Sequence, residues 1–318
     1  IYTSSKMKYM FNLLTECTEE FITHHEARAM RNNGIAEIET QDVFARVTVD
    51  GIFTTALGFK GDCVVNESSK MYHVIDELQE DFKAMFTEKR FFRKSVHDFF
   101  VKSVLDEISR RKEGKIVRPD VIQLLVQALE GRLKLEAGDA DELSYTETKV
   151  KKIVNWSDSD LVSQAFVLFL GGFETTATLM QTLTYELAQK PEYQETLYAE
   201  VEEMVEKLDG KQISYDELNQ MKFLEMVVNE TLRKWPSFRV VSRVCTKDTV
   251  MYDEETGKNY NIKKGVTVMI PIRFLHMDPR FFPEPEVFDP YRFSEENKHN
   301  IQSGSFIPFG MGPRVCIG

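Results

Sequence analysis

The residues with the plainest chemical purpose are the last ten, Phe309-Gly-Met-Gly-Pro-Arg-Val-Cys-Ile-Gly318. Glycines and a proline crowd this run, so its backbone takes turn conformations rather than regular structure. Cys316 stands where such a loop enters a helix, two residues after Arg314. Helix N-terminal N–H groups and a nearby arginine both lower a thiol's pKa towards thiolate, the form that ligates metals. The plainer alternative is a buried, inert cysteine in a glycine-rich turn.

A second candidate interrupts a helix. Val162, Phe166, Phe169, Phe173, Ala177, Met180, Leu183 and Leu187 recur at a spacing near 3.6. Inside this pattern, Gly171-Gly172-Phe173-Glu174-Thr175-Thr176 places two glycines and two β-branched threonines. Each glycine costs about 1 kcal/mol relative to alanine, and such a break in a well-patterned element points to function. The alternative is a helix kink carrying a solvent-facing glutamate. A third candidate is the E-x-x-R of Glu230-Thr-Leu-Arg233. That spacing alone is weak, because Glu107-Ile-Ser-Arg110 shares it and is expected to be a solvated pair. The later pair stands beside the apolar stripe of Phe223, Val227 and Thr231, with Pro290-Tyr-Arg-Phe293 further on.

Together these segments resemble the cytochrome P-450 superfamily, whose ligand loop reads F-x-x-G-x-R-x-C-x-G. Five fixed positions at roughly 5% background should match a chain this size about once in ten thousand. The resemblance implies that Cys316 is the axial ligand of a heme iron, that Phe309 packs against the thiolate, and that Arg314 meets a heme propionate. It gives Gly312 the close approach to the porphyrin and Gly318 the passage of a following helix. A thiolate ligand pushes electron density onto iron and favours O–O cleavage. Gly171 and Gly172 then form a kinked groove for dioxygen, with Glu174 and Thr175 delivering protons. Glu230, Arg233 and Arg292 become a scaffold that retains heme, although Tyr291 stands where the family often has an acid. Breaking one partner of such a buried network typically costs about 3–5 kcal/mol. Arg243 aligns with a second propionate-binding arginine; the alternative is a strand-end pair with Asp248. Ser237, Phe238, Val240 and Val241 fall on a strand that faces substrate, and Phe166, Phe169, Leu170 and Phe173 face the same cavity. Those aromatics also read as ordinary core, and Cys245 and His276 read as structural.

The elements that must hold these groups are mainly helical. Helical spacing predicts segments at 3–30, 41–59, 68–92, 95–111, a short one from Pro119 through Leu129, the long one from 157 or 158, one from Pro191, a capped piece at 213–220, and 222–235. Residues 131–155 are charged and aperiodic, as in a loop. Beyond Pro236 short strands are predicted at 240–250, 259–262 and 267–270, with turns at 254–257 and 263–265. The expected fold is mainly α with a small β-rich lobe, a cytochrome P-450 fold truncated at both ends. It forms a single domain over 1–318, helical to about 235 and β-rich with the ligand loop from 236.

Composition excludes other classes. The 318 residues carry a net charge of −11 without a basic patch, which argues against a nucleic-acid partner. Four separated cysteines, without a C-x-x-C, disfavour zinc and disulfide frameworks. Gly310 and Gly312 lack the third glycine of a dinucleotide fingerprint. The resemblance implies a microsomal monooxygenase of the insect xenobiotic-metabolising branch, on the cytosolic face of the endoplasmic reticulum membrane, held by an anchor absent from this chain. Its cofactor is heme b; electrons come from NADPH through a separate cytochrome P-450 reductase, with cytochrome b5 as an optional second donor. Dioxygen and a small lipophilic substrate complete the reaction. The alternatives are a heme-thiolate isomerase or dehydratase, which generally departs from the acid–threonine pair, and a non-catalytic truncated product.

Overall fold

The computed structural model describes residues 4–66, 68–88, 92–114, 118, 120–130 and 156–317. The expected loop at 131–155, Pro119 and Gly318 lie outside them. The chain forms two compact units, 1–181 with 317–318, and 182–316. The second unit therefore contains helices as well as all the strands.

In the first unit α1 (Ser4–Arg31) ends at Asn33 and Gly34, both in the left-handed region. The β-branched stretch that follows is helical, as expected, because Glu39 caps it: its carboxylate accepts the N–H groups of Gln41 and Asp42. This helix, α2 (Thr40–Ile52), widens into a π-helical turn at Phe53–Leu57 and stops at Gly58, with φ of 80°. Then come α3 (Lys70–Glu88), α4 (Lys94–Lys112) and α5 (Val121–Leu129), the last capped by Asp120 through Gln123 N–H. Their apolar faces meet over Phe53, Phe100, Phe169 and Phe173, all buried, with the Phe169 ring centroid 4.9–5.8 Å from each of the other three. Fully burying one such ring contributes about 1.5–3 kcal/mol.

One expectation is corrected here. Glu107 and Arg110 are not a solvated pair: Glu107 is buried and bound by Arg111 at 2.8 Å, one helical turn on, with Arg110 at 3.7 Å outside. Arg111 also donates to Asp120 (2.7 Å) and to the Gly58 carbonyl (3.2 Å). A spacing of four, not three, fixes this network.

The long helix α6 (Asp158–Gln189) runs through both units. In the second unit Pro191 opens α7 (Pro191–Leu208), which ends on left-handed Asp209 and Gly210. A capping box, Ser214 with Glu217, starts α8 (Tyr215–Leu218), and α9 (Lys222–Lys234) stops before Pro236. The strand expected at 240–250 is two strands, β1 (Val241–Val244) and β2 (Thr249–Asp253). They separate because Cys245 exchanges backbone hydrogen bonds with Val266 and Gly265, while Asp248 accepts from Lys263 and the Lys264 N–H. β2 pairs with β3 (Lys258–Ile262) as a hairpin, and β1 pairs antiparallel with β4 (Thr267–Ile270), Val241 opposite Ile270. A short α10 (Ile272–His276) leads into the segment that ends at the cysteine loop. Among the described residues no helix is long and apolar enough to cross a membrane.

Candidate functional site

The cysteine loop is built by three backbone hydrogen bonds. Gly310 N–H donates to Ile307 C=O (3.0 Å), Val315 N–H to Gly312 C=O (2.9 Å), and Cys316 N–H to Phe309 C=O (2.9 Å). Gly310 and Gly312 have φ of 77° and 78°, where a side chain is strained, so the tight path requires glycine. The result presents Cys316 exposed, beside Phe309, Met311 and Val315, each about half exposed. Arg314 is exposed on the same loop.

Behind the loop stands the acid–arginine network. Arg233 grips Glu230 with two charge-assisted bonds of 2.7 and 2.8 Å, and both side chains are fully buried. Nη1 donates to the His276 carbonyl (2.9 Å) and faces Met277 Sδ (3.6 Å), while the second Nη2 proton is shared between the carbonyls of Pro285 (2.8 Å) and Val287 (3.2 Å). Glu230 also accepts the Asp289 N–H at 2.8 Å. Burial pushes the Glu230 carboxyl above its ordinary range, while the Arg233 fork, the Asp289 N–H and the Arg292 charge pull it down. Arg292 lies 3.6 Å from Glu230 and hydrogen-bonds the Glu284 carbonyl instead, so it contributes charge rather than a bond. Sequence reasoning could not find the carbonyl and N–H partners, because backbone groups leave no residue signature.

Arg243 is exposed on β1, its guanidinium bonded to the Ser242 carbonyl. Asp248, the alternative partner, pairs with Lys263 at 2.8 Å. Ser237, Phe238, Val240 and Val241 lead into and begin β1, Phe238 and Val240 exposed and the other two half-buried. A cleft of about 490 Å³ in this unit, lined by Glu186, Lys234, Trp235 and Arg273 among others, contains none of these four.

On α6 both glycines lie inside one helix, Asp158–Gln189. The two glycines part company. A Cβ on Gly171 would meet nothing within 4 Å, whereas one on Gly172 would lie 2.6 Å from Ile52 Cδ1. Gly172 therefore serves packing against α2, and Gly171 alone faces open space. Thr175 is half-buried one turn on and donates to the Gly171 carbonyl at 2.6 Å; Glu174 is exposed. Phe169 and Phe173 are core rings, Phe166 packs against Phe100 at 5.0 Å, and Leu170 is half-buried beside them. The core alternative for these aromatics is the one their burial supports.

An exposed thiol on a glycine-shaped loop, rimmed by apolar side chains and with the exposed Arg314 guanidinium on the same loop, is a donor set for one soft metal ligand bond and a flat, anionic, apolar group. Set in a mainly helical fold scaffolded by a buried E-x-x-R pair, it defines the heme-thiolate class. The chain belongs to the Cytochrome P450 family, whose description matches residues 2–318. It is 36% identical to probable cytochrome P450 9f2 of Drosophila melanogaster, over all of this chain and 62% of that protein. It is 34% identical to cytochrome P450 9e2 of Blattella germanica, over all of this chain and 63% of that protein, and 33% identical to probable cytochrome P450 6d4 of Drosophila melanogaster, over 99% and 63%. The chain thus spans somewhat under two thirds of the length of the curated relatives it matches. Membership implies heme, and the residues of the loop fit it.

Proposed function

We propose that the full-length protein is a heme-thiolate monooxygenase that oxidises small lipophilic compounds, xenobiotics among them. The observation that carries this reading is the exposed Cys316 on its glycine-built loop. Heme b, when held by a cysteine thiolate, supplies dioxygen activation for insertion into C–H and C=C bonds. Cys316 would hold the iron, Arg314 and Arg243 the propionates, and Phe309 would shield the sulfur from water. Thr175 contributes a hydroxyl whose proton rests on the Gly171 carbonyl at 2.6 Å, leaving oxygen lone pairs free to accept. Glu174, an exposed carboxylate next to it, resupplies that hydroxyl with protons from water. Electrons come from NADPH through a cytochrome P-450 reductase, with cytochrome b5 as a second donor, at the cytosolic face of the endoplasmic reticulum membrane. The names of the insect relatives and the acid–threonine pair support this over a rearranging heme-thiolate enzyme, which takes no electrons.

The test is Thr175→Ala in the full-length protein reconstituted with reductase. Loss of the positioned Thr175 hydroxyl should lower product formed per NADPH by on the order of 10²-fold while NADPH consumption continues. Unchanged turnover without reductase would contradict the proposal.

A further inference from the structure

This inference rests on the reading of Cys316 as the thiolate ligand. His276 ends α10, is completely buried, and lies against Phe306 with ring centroids 5.3 Å apart. Its Nε2 accepts the Ile307 N–H at 2.9 Å, and its Nδ1 faces the Arg233 carbonyl at 3.2 Å. An acceptor at Nε2 leaves the proton on Nδ1, so the ring is neutral and donates to Arg233 C=O. Arg233 answers through Nη1 to the His276 carbonyl at 2.9 Å. On the other side, Ile307 C=O receives the Gly310 N–H, and Phe309 C=O receives the Cys316 N–H.

The imidazole therefore stands between two rigid bodies: the Glu230–Arg233 pair on α9, and the backbone that shapes the ligand loop. We propose that His276 is a positioning residue for Cys316, fixing the base of the loop so that the sulfur is held in its ligating place. Buried N–H groups must be paired, and the Ile307 N–H has its bond from this ring, so the loop's entry point is pinned to α9 through one side chain. The site's known parts do not need an imidazole here. An apolar ring of similar size would fill the same space between Phe282 and Phe306 but would strand a donor and an acceptor.

The test compares His276→Phe, His276→Gln and Phe282→Leu in the full-length, heme-loaded protein. Phe282 packs on the same two side chains, 6.4 Å from the His276 ring and 5.4 Å from the Arg233 guanidinium carbon, but offers no hydrogen bond to the Ile307 N–H. The readouts are the reduced carbon-monoxide difference spectrum, as the ratio of thiolate-free to thiolate-ligated heme, and hydrogen exchange at the Ile307 amide. For His276→Phe the ratio should rise about tenfold and the amide lose protection, the size expected for one stranded buried N–H. His276→Gln, which keeps an acceptor and a donor, should recover part of both. Phe282→Leu should lower thermal stability and leave the ratio unchanged. An unchanged ratio in His276→Phe, or an equal rise in Phe282→Leu, overturns the inference. Should His276→Phe fail to accumulate, a ratio in His276→Gln no higher than in Phe282→Leu overturns it equally. Wild-type protein without the thiolate band would instead sink the reading of Cys316.

Discussion

His276 shows how much a single buried side chain fixes. Burial penalises its cation and lowers its pKa from 6.5 to about 4. Between those values the unfolded chain binds a proton that the folded chain refuses, so folding stability rises with pH across that window. The contribution is complete above about pH 6.5 and is lost as pH falls towards 4, at up to about 1.4 kcal/mol per pH unit. Urea unfolding at several pH values in this window should show that slope, and His276→Gln should flatten it. A slope identical in the variant would contradict the assignment. Little of this was legible beforehand. The sequence shows a histidine in Leu275-His276-Met277-Asp278, but both partners of its ring are backbone groups of distant residues. Glu230 and Arg233 were legible, since their spacing puts both on one helical face and their burial follows from the apolar stripe beside them.

At the scale of elements, E-x-x-R spacing misleads once and informs once. At Glu107 the buried partner is Arg111, which also ties α4 to Asp120 and to the Gly58 carbonyl closing the π-helical turn. Arg111→Ala removes the buried, directly bonded cation of two carboxylates, leaving Glu107 only Arg110 at 3.7 Å and Asp120 only Arg118 at 3.9 Å, and should cost about 3–5 kcal/mol in chemical denaturation. Arg110→Ala, a largely exposed neighbour at 3.7 Å, should change stability by less than about 1 kcal/mol. Equal losses would mean that the spacing of three, and not of four, carries the network. A spacing cannot reveal this, because i+3 and i+4 partners share one helix face and burial decides between them.

The glycines of α6 divide in the same way. Gly171→Ala adds a methyl into open space within a continuous helix and should stabilise the heme-free protein by up to about 1 kcal/mol. Gly172→Ala meets the end of Ile52, and its gain should be cancelled or reversed. If Gly172→Ala were the more stabilising in thermal unfolding, the packing assignment would be wrong. The sequence flagged both glycines as costly, yet only the neighbouring helix distinguishes them. The helices themselves were legible from their period and caps. The break between β1 and β2 was not, because it depends on Asp248 pairing with Lys263 across the following turn.

At the scale of the whole molecule, the candidate residues are divided between the two compact units: the proposed ligand loop as far as Cys316, with Glu230 and Arg233, falls in one, and Gly171, Glu174 and Thr175 in the other. Their order along the chain is what the sequence displays most clearly, and it suffices for the family. The most direct test of the central claim is the reduced carbon-monoxide difference spectrum of the full-length protein, with Cys316→Ser beside it. The account predicts a strongly red-shifted Soret band that disappears in Cys316→Ser. A band typical of heme without a thiolate ligand, or one that survives the substitution, would contradict it.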